Sequence, residues 1–164
     1  MEETGNITIR PATVDDVPHI LRLWRELMDY HAARDRIFTV PPDGPENCQA
    51  WIEHNIQSDR SLVLVAESTC AVVGYCIAVI TPYPPVLALK EYCEIYDLAV
   101  TEAHRRRGVG EALFERVKAW CREKAIQRIE AKVAVTNDLS TRFWRKMGLS
   151  PYMEIMHYDL KEQG

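Results

Sequence analysis

The spacing of apolar residues changes along the chain, and each change predicts a new element of secondary structure. Residues 6–12 alternate between apolar and polar side chains, which is the period of a short strand. After Thr13 the spacing becomes helical, and Thr13 can cap this helix because acidic residues follow in its first turn. Its predicted inner face consists of Val17, Leu21, Trp24, Met28 and His31. A loop over 31–44 then leads to a short second helix with apolar positions Cys48, Trp51, Ile52 and Ile56.

The middle of the chain predicts a hairpin, a loop, a strand and a helix. Residues 61–67 and 71–80 are rich in β-formers and only a few residues apart, so we expect an antiparallel hairpin. The proline-rich segment 81–91 predicts a loop, and 92–100 predicts the next strand. A helix should then run from about 110 to 125. Its buried face is predicted to carry Leu113, Val117 and Trp120.

The last third predicts two strands around a final helix. Alternation over 128–135 predicts a strand, with Ile129, Ala131, Val133 and Val135 on one face. Asn137 or Asp138 should cap the helix, which ends at Gly148, and residues 151–160 should close the sheet. The order β-α-α-β-β-β-α-β-α-β predicts an α/β fold with a mixed, mostly antiparallel central sheet and helices on both faces. We expect residues 1–164 to form a single domain with its core at about 6–160, since no repeat or linker divides them.

Composition narrows the class of protein. With 47% hydrophobic and 27% charged residues, the chain suits a compact globular domain. Its net charge of −4 argues against nucleic acid or an anionic membrane as a partner. The five cysteines are odd in number and scattered, so we expect no disulfide framework and no metal site. The N-terminus lacks an apolar signal region, and the longest apolar run is about half of what a membrane-spanning helix needs. A cytoplasmic location is therefore expected.

The segment "RRRGVG" at 105–110 stands between a predicted strand and a predicted helix. The first turn of a helix leaves backbone N–H groups without partners, so glycines there can form a cradle for a phosphate group. The arginines would add charge for a diphosphate. The segment is not a P-loop, because no Gly-Lys-Ser/Thr follows its second glycine. It is not a dinucleotide-binding fingerprint either, because position 113 is Leu where that motif needs a third Gly or Ala. The alternative is a solvated basic loop before a helix.

Two motifs together resemble the GNAT superfamily of acetyl-CoA-dependent N-acetyltransferases. "RRRGVG" is similar to the family's [Q/R]-x-x-G-x-[G/A] turn after the fourth strand. "NDLSTRFWRKMGL" resembles its N-x-x-A-x-x-F-Y-x-K-x-G-F helix. Three positions depart from that pattern: Ser140 replaces the alanine, Trp144 the tyrosine and Leu149 the phenylalanine. The resemblance covers nearly the whole chain and implies the GNAT-type form of the α/β fold given above.

This resemblance implies an acetyl transfer from acetyl-CoA to a primary amine of a small molecule, peptide or protein, by direct attack in a ternary complex. No metal is implied, and a homodimer is an option that rests on the resemblance alone. The implied cofactor-binding residues are Leu98, Ala99, Val100, Arg105, Arg106, Arg107, Gly108, Val109, Gly110, Glu111, Asn137, Phe143 and Trp144. The alternative function is a non-catalytic acyl-CoA-binding or sensing module, which the missing tyrosine suggests.

The predicted chemistry requires a base, because an amine with a pKa of roughly 10 is mostly protonated near neutral pH. Glu94 is the first candidate, since its place before the Leu-Ala-Val run resembles the general base of the histone-acetyltransferase branch. Asp97 is the second candidate, and either carboxylate could instead pair with a neighbouring lysine or arginine. The leaving thiol needs little acid, and Trp144 cannot supply one. Tyr96, Cys93 or water could replace the family's tyrosine as the group that protonates the leaving thiolate.

Overall fold

The computed structural model describes residues 7–160. These residues form two compact units, and the boundary along the chain lies between Lys132 and Val133. Five strands form one sheet in the order β1-β2-β3-β4-β5. The strands are β1 (Ile7–Pro11), β2 (Ser61–Ser68), β3 (Ala71–Pro82), β4 (Glu91–Val100) and β5 (Ile129–Ala131). The α-helices are α1 (Val17–Ala32), α2 (Gly44–Gln57), α3 (Val109–Glu123) and α4 (Asp138–Lys146). Neighbouring strands are antiparallel except β4 and β5, which confirms the mixed, mostly antiparallel sheet.

Alternate residues of the central strands point to opposite faces of the sheet, and each face carries helices. On one face, a core cluster joins the two central strands to the helices α1 and α2. Its main members are Ile20, Leu23, Ile52, Val63, Val65, Tyr75 and Ile77. On the other face, Leu64 and Cys76 are fully buried, and α3 packs against β2, β3 and β4. The predicted α3 face of Leu113, Val117 and Trp120 is buried as expected.

The start of α1 is held by an ion-pair network rather than by its cap alone. Arg10 donates two hydrogen bonds to Asp16, at 2.7 and 2.9 Å, and two more to Glu67 of β2. The same Asp16 carboxylate accepts from the backbone N–H of Thr13 at 2.8 Å. These bonds, above all those from Arg10, lower the pKa of Asp16 to about 2. The network therefore connects β1, β2 and the entry to α1.

The β2–β3 hairpin turns in two residues. Ser68 pairs with Ala71 across the turn, and the two residues between them, Thr69 and Cys70, have φ values of 48° and 65°. Two successive left-handed residues are the geometry of a type I′ turn, whose twist matches that of the strands it joins. The predicted antiparallel hairpin is confirmed.

A bulge interrupts β4 and changes which side chains share a face. Asp97 is opposite Ile77, and Ile95 is opposite the next residue of β3, so Tyr96 is an extra residue without a partner in this ladder. A residue added in this way shifts the alternation of faces by one position. As a result, Glu94 and Asp97, which an unbroken strand would place on opposite faces, both point to the face that carries α1 and α2.

Two predictions for the end of the chain are wrong. The strand predicted over 128–135 ends at Ala131, and the side chain of Val135 is 93% exposed. The strand predicted over 151–160 does not form: these residues are irregular and exposed. A strand exists only where a neighbour supplies backbone partners, and β5 offers a ladder of three residues. The spacing of apolar residues predicts neither the presence of a neighbouring strand nor the length of the ladder. No helix among residues 7–160 is both long and apolar enough to cross a lipid bilayer.

Candidate functional site

The arginine-glycine turn contains two residues with left-handed backbone conformation. Arg106 and Gly108 are both left-handed, with φ values of 59° and 80°. The first helical hydrogen bond of α3 runs from the Ala112 N–H to the Gly108 carbonyl at 2.9 Å, so the N–H groups of Val109 and Gly110 precede it. A Cβ at Gly108 would meet nothing within 4 Å. Glycine is therefore favoured there by its backbone conformation rather than by lack of space.

The three arginines of this turn do not play equal parts. Arg105 donates from Nε to the carbonyl oxygen of Val100 at 3.0 Å, which ties the turn to the end of β4. Arg106 and Arg107 are exposed. Both residues precede α3 in the chain, and the helix dipole favours an anion at the start of a helix. Of the predicted residues, Glu111 also lies in this first turn.

The edge of β4 extends well past its pairing with β5. The parallel ladder includes Cys93, Glu94 and Ile95, whereas β4 continues to Val100. The Thr101 N–H donates to Val73 of β3, and alternate residues of an antiparallel strand face alternate neighbours. Leu98 and Val100 therefore direct their backbone groups away from β3. By the same alternation, the backbone groups of Ala99, which is also a predicted cofactor-binding residue, point toward β3.

Glu94 is buried and forms an ion pair with a lysine. Its carboxylate Oε1 lies 2.6 Å from the Nζ of Lys132, which follows β5, and its Oε2 accepts from the hydroxyl of Tyr92 at 3.2 Å. The Glu94 side chain is 5% exposed, whereas that of Lys132 is 69% exposed. The bond to Glu94 raises the pKa of Lys132. The sequence left open whether a carboxylate here would pair with a neighbouring cation, and Glu94 does.

Asp97 lies in a different environment from Glu94. Its carboxylate accepts a hydrogen bond from the buried Tyr75 hydroxyl at 3.2 Å. Burial raises the pKa of Asp97 to about 6. Burial raises the pKa of the Cys48 thiol in α2 to about 12, and the charge of Asp97 contributes to this rise. Asp97 is therefore a carboxylate that takes up a proton near neutral pH, as a general base must.

Aromatic rings surround this pair of carboxylates. Tyr83 stacks on Tyr92 with ring centroids 4.4 Å apart, and Tyr96 meets Trp51 of α2 at 5.2 Å. The Tyr83 hydroxyl also donates to Glu130 of β5. Burial and the neighbouring Glu94 raise the pKa of Tyr96, which keeps its proton available for donation.

Sequence reasoning missed three of these polar groups: Tyr92, Glu130 and Lys132. The available signal was the alternation in "EAK" at 130–132, which places Glu130 and Lys132 on one face of a strand. Which face that is depends on the register with β4, where Glu130 stands opposite Glu94.

Cys93, one of the substitutes for the missing acid, cannot act beside these carboxylates. It precedes Glu94 and therefore points to the opposite face of the sheet. There it is fully buried and hydrogen-bonds with Cys121 of α3. This contact and burial raise the pKa of the Cys93 thiol. The idea that Cys93 donates a proton in the reaction is therefore wrong. No group of three or more His, Cys, Asp or Glu residues between 7 and 160 has the arrangement of a metal site.

The second unit contains the remaining predicted residues on and before α4. Asn137 caps the helix, since its side-chain oxygen accepts from the Ser140 N–H at 3.0 Å. This confirms the predicted cap. Phe143 and Trp144 meet edge to face, with centroids 4.8 Å apart, and Trp144 is buried. The Gly148 N–H bonds back to Arg145 and ends the helix. The role of Asn137, Phe143 and Trp144 beside a cofactor stays a prediction.

Comparison with known proteins decides the family. Residues 22–149 match the model of the acetyltransferase (GNAT) family. The chain belongs to the GNAT family. It is an N-acetyltransferase, and its fold is the GNAT fold predicted from the two motifs.

Relatives of this GNAT protein include both sequences and solved structures. An uncharacterized N-acetyltransferase of Archaeoglobus fulgidus is 28% identical over 141 residues, covering 86% of this chain and 91% of the relative. A tetramutant of the BH1408 protein from Bacillus halodurans has a TM-score of 0.83 at 26% identity, covering 93% of this chain and 99% of that one. The aminoglycoside N-acetyltransferase AAC(6')-Iy, solved in complex with CoA, shares the fold with a TM-score of 0.77 at 18% identity, covering 98% and 99%.

Proposed function

We propose that this GNAT enzyme transfers an acetyl group from acetyl-CoA to a primary amine of a small cationic molecule. The reaction is a direct attack in a ternary complex, and residues 1–164 act as a single N-acetyltransferase domain. One observation carries the proposal: β4 presents a strand edge that extends past β5 and, on its α2 face, the carboxylates of Glu94 and Asp97. An acyl donor and an amine could thus meet at one strand.

The residues of the first unit fit the donor. The N–H groups of Val109 and Gly110, with the exposed Arg106 and Arg107, suit a diphosphate. The outward-facing backbone groups of β4 past Ile95 suit an extended arm that adds to the sheet as a strand would. Acetyl-CoA supplies the acetyl group as a thioester. In support, a neighbour with the same fold was solved with CoA bound.

Glu94 is proposed as the base. Glu94 takes one proton from the bound ammonium, and the neutral amine nitrogen then forms a bond to the acetyl carbon. The carbon–sulfur bond breaks, and the nitrogen loses its second proton to solvent. The position of the Lys132 Nζ, 2.6 Å from Glu94 Oε1, shows that an ammonium on this carboxylate is within reach of proton transfer.

Asp97 is the second candidate for the base. Its pKa of about 6 already suits proton uptake near neutral pH. Against it, the Tyr75 hydroxyl donates to one of its carboxylate oxygens. Glu94 is favoured because its partner Lys132 is largely in solvent, so a dissolved amine can approach by the same route.

Proton donation to the leaving thiolate requires little of the protein, because a thiol with a pKa near 8.5 leaves easily. Tyr96 is the proposed donor on this face, since it carries a hydroxyl beside Glu94 and the residue is 49% exposed. Water is the alternative donor. Trp144, in the place of the family's tyrosine, can donate a hydrogen bond but not a proton.

The cationic acceptor is supported by two carboxylates of this face, Glu94 and Asp97, which accept hydrogen bonds from tyrosine hydroxyls. The third carboxylate, Glu130, is already paired with Arg128 at 2.7 Å. Acidic and aromatic groups together suit an ammonium. Similar folds belong to enzymes described as aminoglycoside acetyltransferases. The second candidate function is a non-catalytic acyl-CoA-binding module, which the buried Trp144 favours.

Turnover separates the two functions. The purified protein is incubated with acetyl-CoA and a panel of polyamines, aminoglycosides, amino acids and peptides, and free thiol is measured against an amine-free control. The enzyme releases thiol with particular amines and forms the acetylated amine, as detected by mass spectrometry. A module binds acetyl-CoA in calorimetry and releases no thiol with any amine, which would reject the proposed reaction.

A further inference from the structure

We propose that Lys132 is an internal competitor for the acceptor: its ammonium occupies the place on Glu94 that a primary alkylammonium of the acceptor takes. The acceptor class is therefore an unhindered amine on a flexible alkyl chain, like the lysine side chain itself. This inference rests on the proposed function, because it names the acceptor of the same site. It assigns Lys132 the role of a residue that sets acceptor affinity.

The observation behind it is an ammonium already seated at the site. Lys132 Nζ lies 2.6 Å from Glu94 Oε1, and Tyr92 occupies the other carboxylate oxygen. The charge of Glu130 adds to the attraction of Glu94 for this ammonium. Glu94 is thus a carboxylate whose surroundings already bind a primary ammonium.

Exposure shows how an acceptor can reach the same place. The Glu94 side chain is almost wholly buried, whereas most of the Lys132 side chain is in solvent. Lys132 also follows the last residue of β5, Ala131, so its backbone lies beyond the ladder with β4. A dissolved alkylammonium could therefore approach Glu94 by the path that the lysine chain now fills.

The energetics favour exchange of one ammonium for another. An ion pair with a solvent-exposed, flexible lysine contributes little stability, so Lys132 is easily displaced. A buried carboxylate left without a cation is costly, so Glu94 releases Lys132 readily only to another cation. A quaternary ammonium has no N–H, and it cannot replace the short hydrogen bond to Oε1. The site should therefore select primary amines.

The test measures binding without turnover. n-Butylamine reproduces the lysine chain from Cβ onward, and its dissociation constant is measured at pH 8 from amide chemical shifts of the isotope-labelled protein. Butyltrimethylammonium is the control probe. The variants are Lys132→Met, which removes the competitor, and Lys132→Arg, whose guanidinium should hold Glu94 more firmly. Lys124→Met, an exposed lysine after α3, is the matched control.

We expect n-butylamine to bind Lys132→Met roughly tenfold more tightly than the wild type, and Lys132→Arg several-fold more weakly. Lys124→Met should match the wild type, and butyltrimethylammonium should bind none of them measurably. Glu94→Gln should remove n-butylamine binding. Because Lys132→Met leaves Glu94 without a cation, its melting temperature should fall, and n-butylamine should restore it more than it raises that of the wild type.

Equal dissociation constants in the wild type, Lys132→Met and Lys132→Arg would overturn the inference, as would unchanged binding in Glu94→Gln. Binding that depends on Lys132 without thiol release from any amine would leave the inference standing and reject the proposed function. Amine-dependent turnover with the same Michaelis constant for the amine in the wild type and the Lys132 variants would support the proposed function and reject the inference.

Discussion

Glu94 and Asp97 are three residues apart on β4, yet both side chains point to the face that carries α2, because Tyr96 is an extra residue between them. An unbroken strand would send one of them to the face of α3. The bulge therefore gathers two carboxylates with different partners, one bound to Lys132 and the other to Tyr75. Which of the two accepts the proton can be measured.

Glu94→Gln keeps the shape of the side chain and removes the proton acceptor. We expect the acetyl-transfer rate near neutral pH to fall roughly 10²–10⁴-fold and to recover partly at high pH, where more amine is unprotonated. Affinity for acetyl-CoA in calorimetry should hardly change. If Asp97→Asn shows this profile and Glu94→Gln does not, Asp97 is the base.

Asp97→Asn should stabilise the protein at neutral pH. The pKa of Asp97 is about 6 when folded and about 4 when unfolded, so folded-state stability declines as pH rises between these values and stays lower above them. Asparagine avoids this cost, which is of the order of 1–3 kcal/mol above pH 7. Urea unfolding at pH 8 and pH 4.5 measures it. A gain that is equally large at pH 4.5 would contradict the raised pKa.

Asp16→Asn should have the opposite pH dependence. The pKa of Asp16 is lowered to about 2 from its ordinary value of 3.8, so its ionised form stabilises the fold above pH 4, and this contribution is lost as pH falls through 2. We expect a loss of about 2 kcal/mol at pH 7 in urea unfolding. The difference from the wild type should narrow steadily below pH 4. A constant difference would point to packing rather than charge.

Gly110→Glu tests the diphosphate cradle. A carboxylate in the first turn of α3 would repel a diphosphate, so acetyl-CoA affinity in calorimetry should fall by roughly a hundredfold or more. The circular dichroism spectrum should stay close to that of the wild type, because position 110 lies in the helix. Gly108→Ala is the comparison: its left-handed φ makes alanine costly by about 1 kcal/mol of stability. Unchanged affinity in Gly110→Glu would reject the cradle.

Trp144→Phe tests whether the reaction needs an acid from α4. Turnover should stay within about tenfold of the wild type, since the thiol leaves with little help. Trp144→Tyr places a phenol where the family has its tyrosine, and a change within tenfold in either direction is expected, because the smaller ring leaves a void. A thousandfold loss in Trp144→Phe with normal acetyl-CoA binding would give the indole N–H a direct chemical role.

Local signals in the sequence predicted much of the fold. Thr13 before an acidic turn, Asn137 before α4 and the glycines of 105–110 each mark the end or start of a helix through short-range chemistry. The same local chemistry located the arginine-glycine turn, whereas Glu94 was named from a family resemblance. These features depend on neighbours within a few residues, so one sequence is enough to read them.

Relations between distant residues could not be read in this way. The Glu94–Lys132 pair depends on the register of β4 with β5, and the shared face of Glu94 and Asp97 depends on a bulge that no residue type announces. The strand predicted at 151–160 failed for the same reason, since alternation describes a face and not the neighbour that must pair with it.

The two-residue turn between β2 and β3 affects how the reaction can be assayed. Cys70 in that turn is exposed, whereas Cys76, Cys93 and Cys121 are buried. A colorimetric reagent that titrates the CoA thiol will also titrate Cys70, which sets a protein-dependent baseline. Cys70→Gly removes the exposed cysteine from this background and leaves the half-buried Cys48. Glycine also suits the left-handed φ of 65° better than cysteine does. That variant is the appropriate parent for thiol-release measurements on this enzyme.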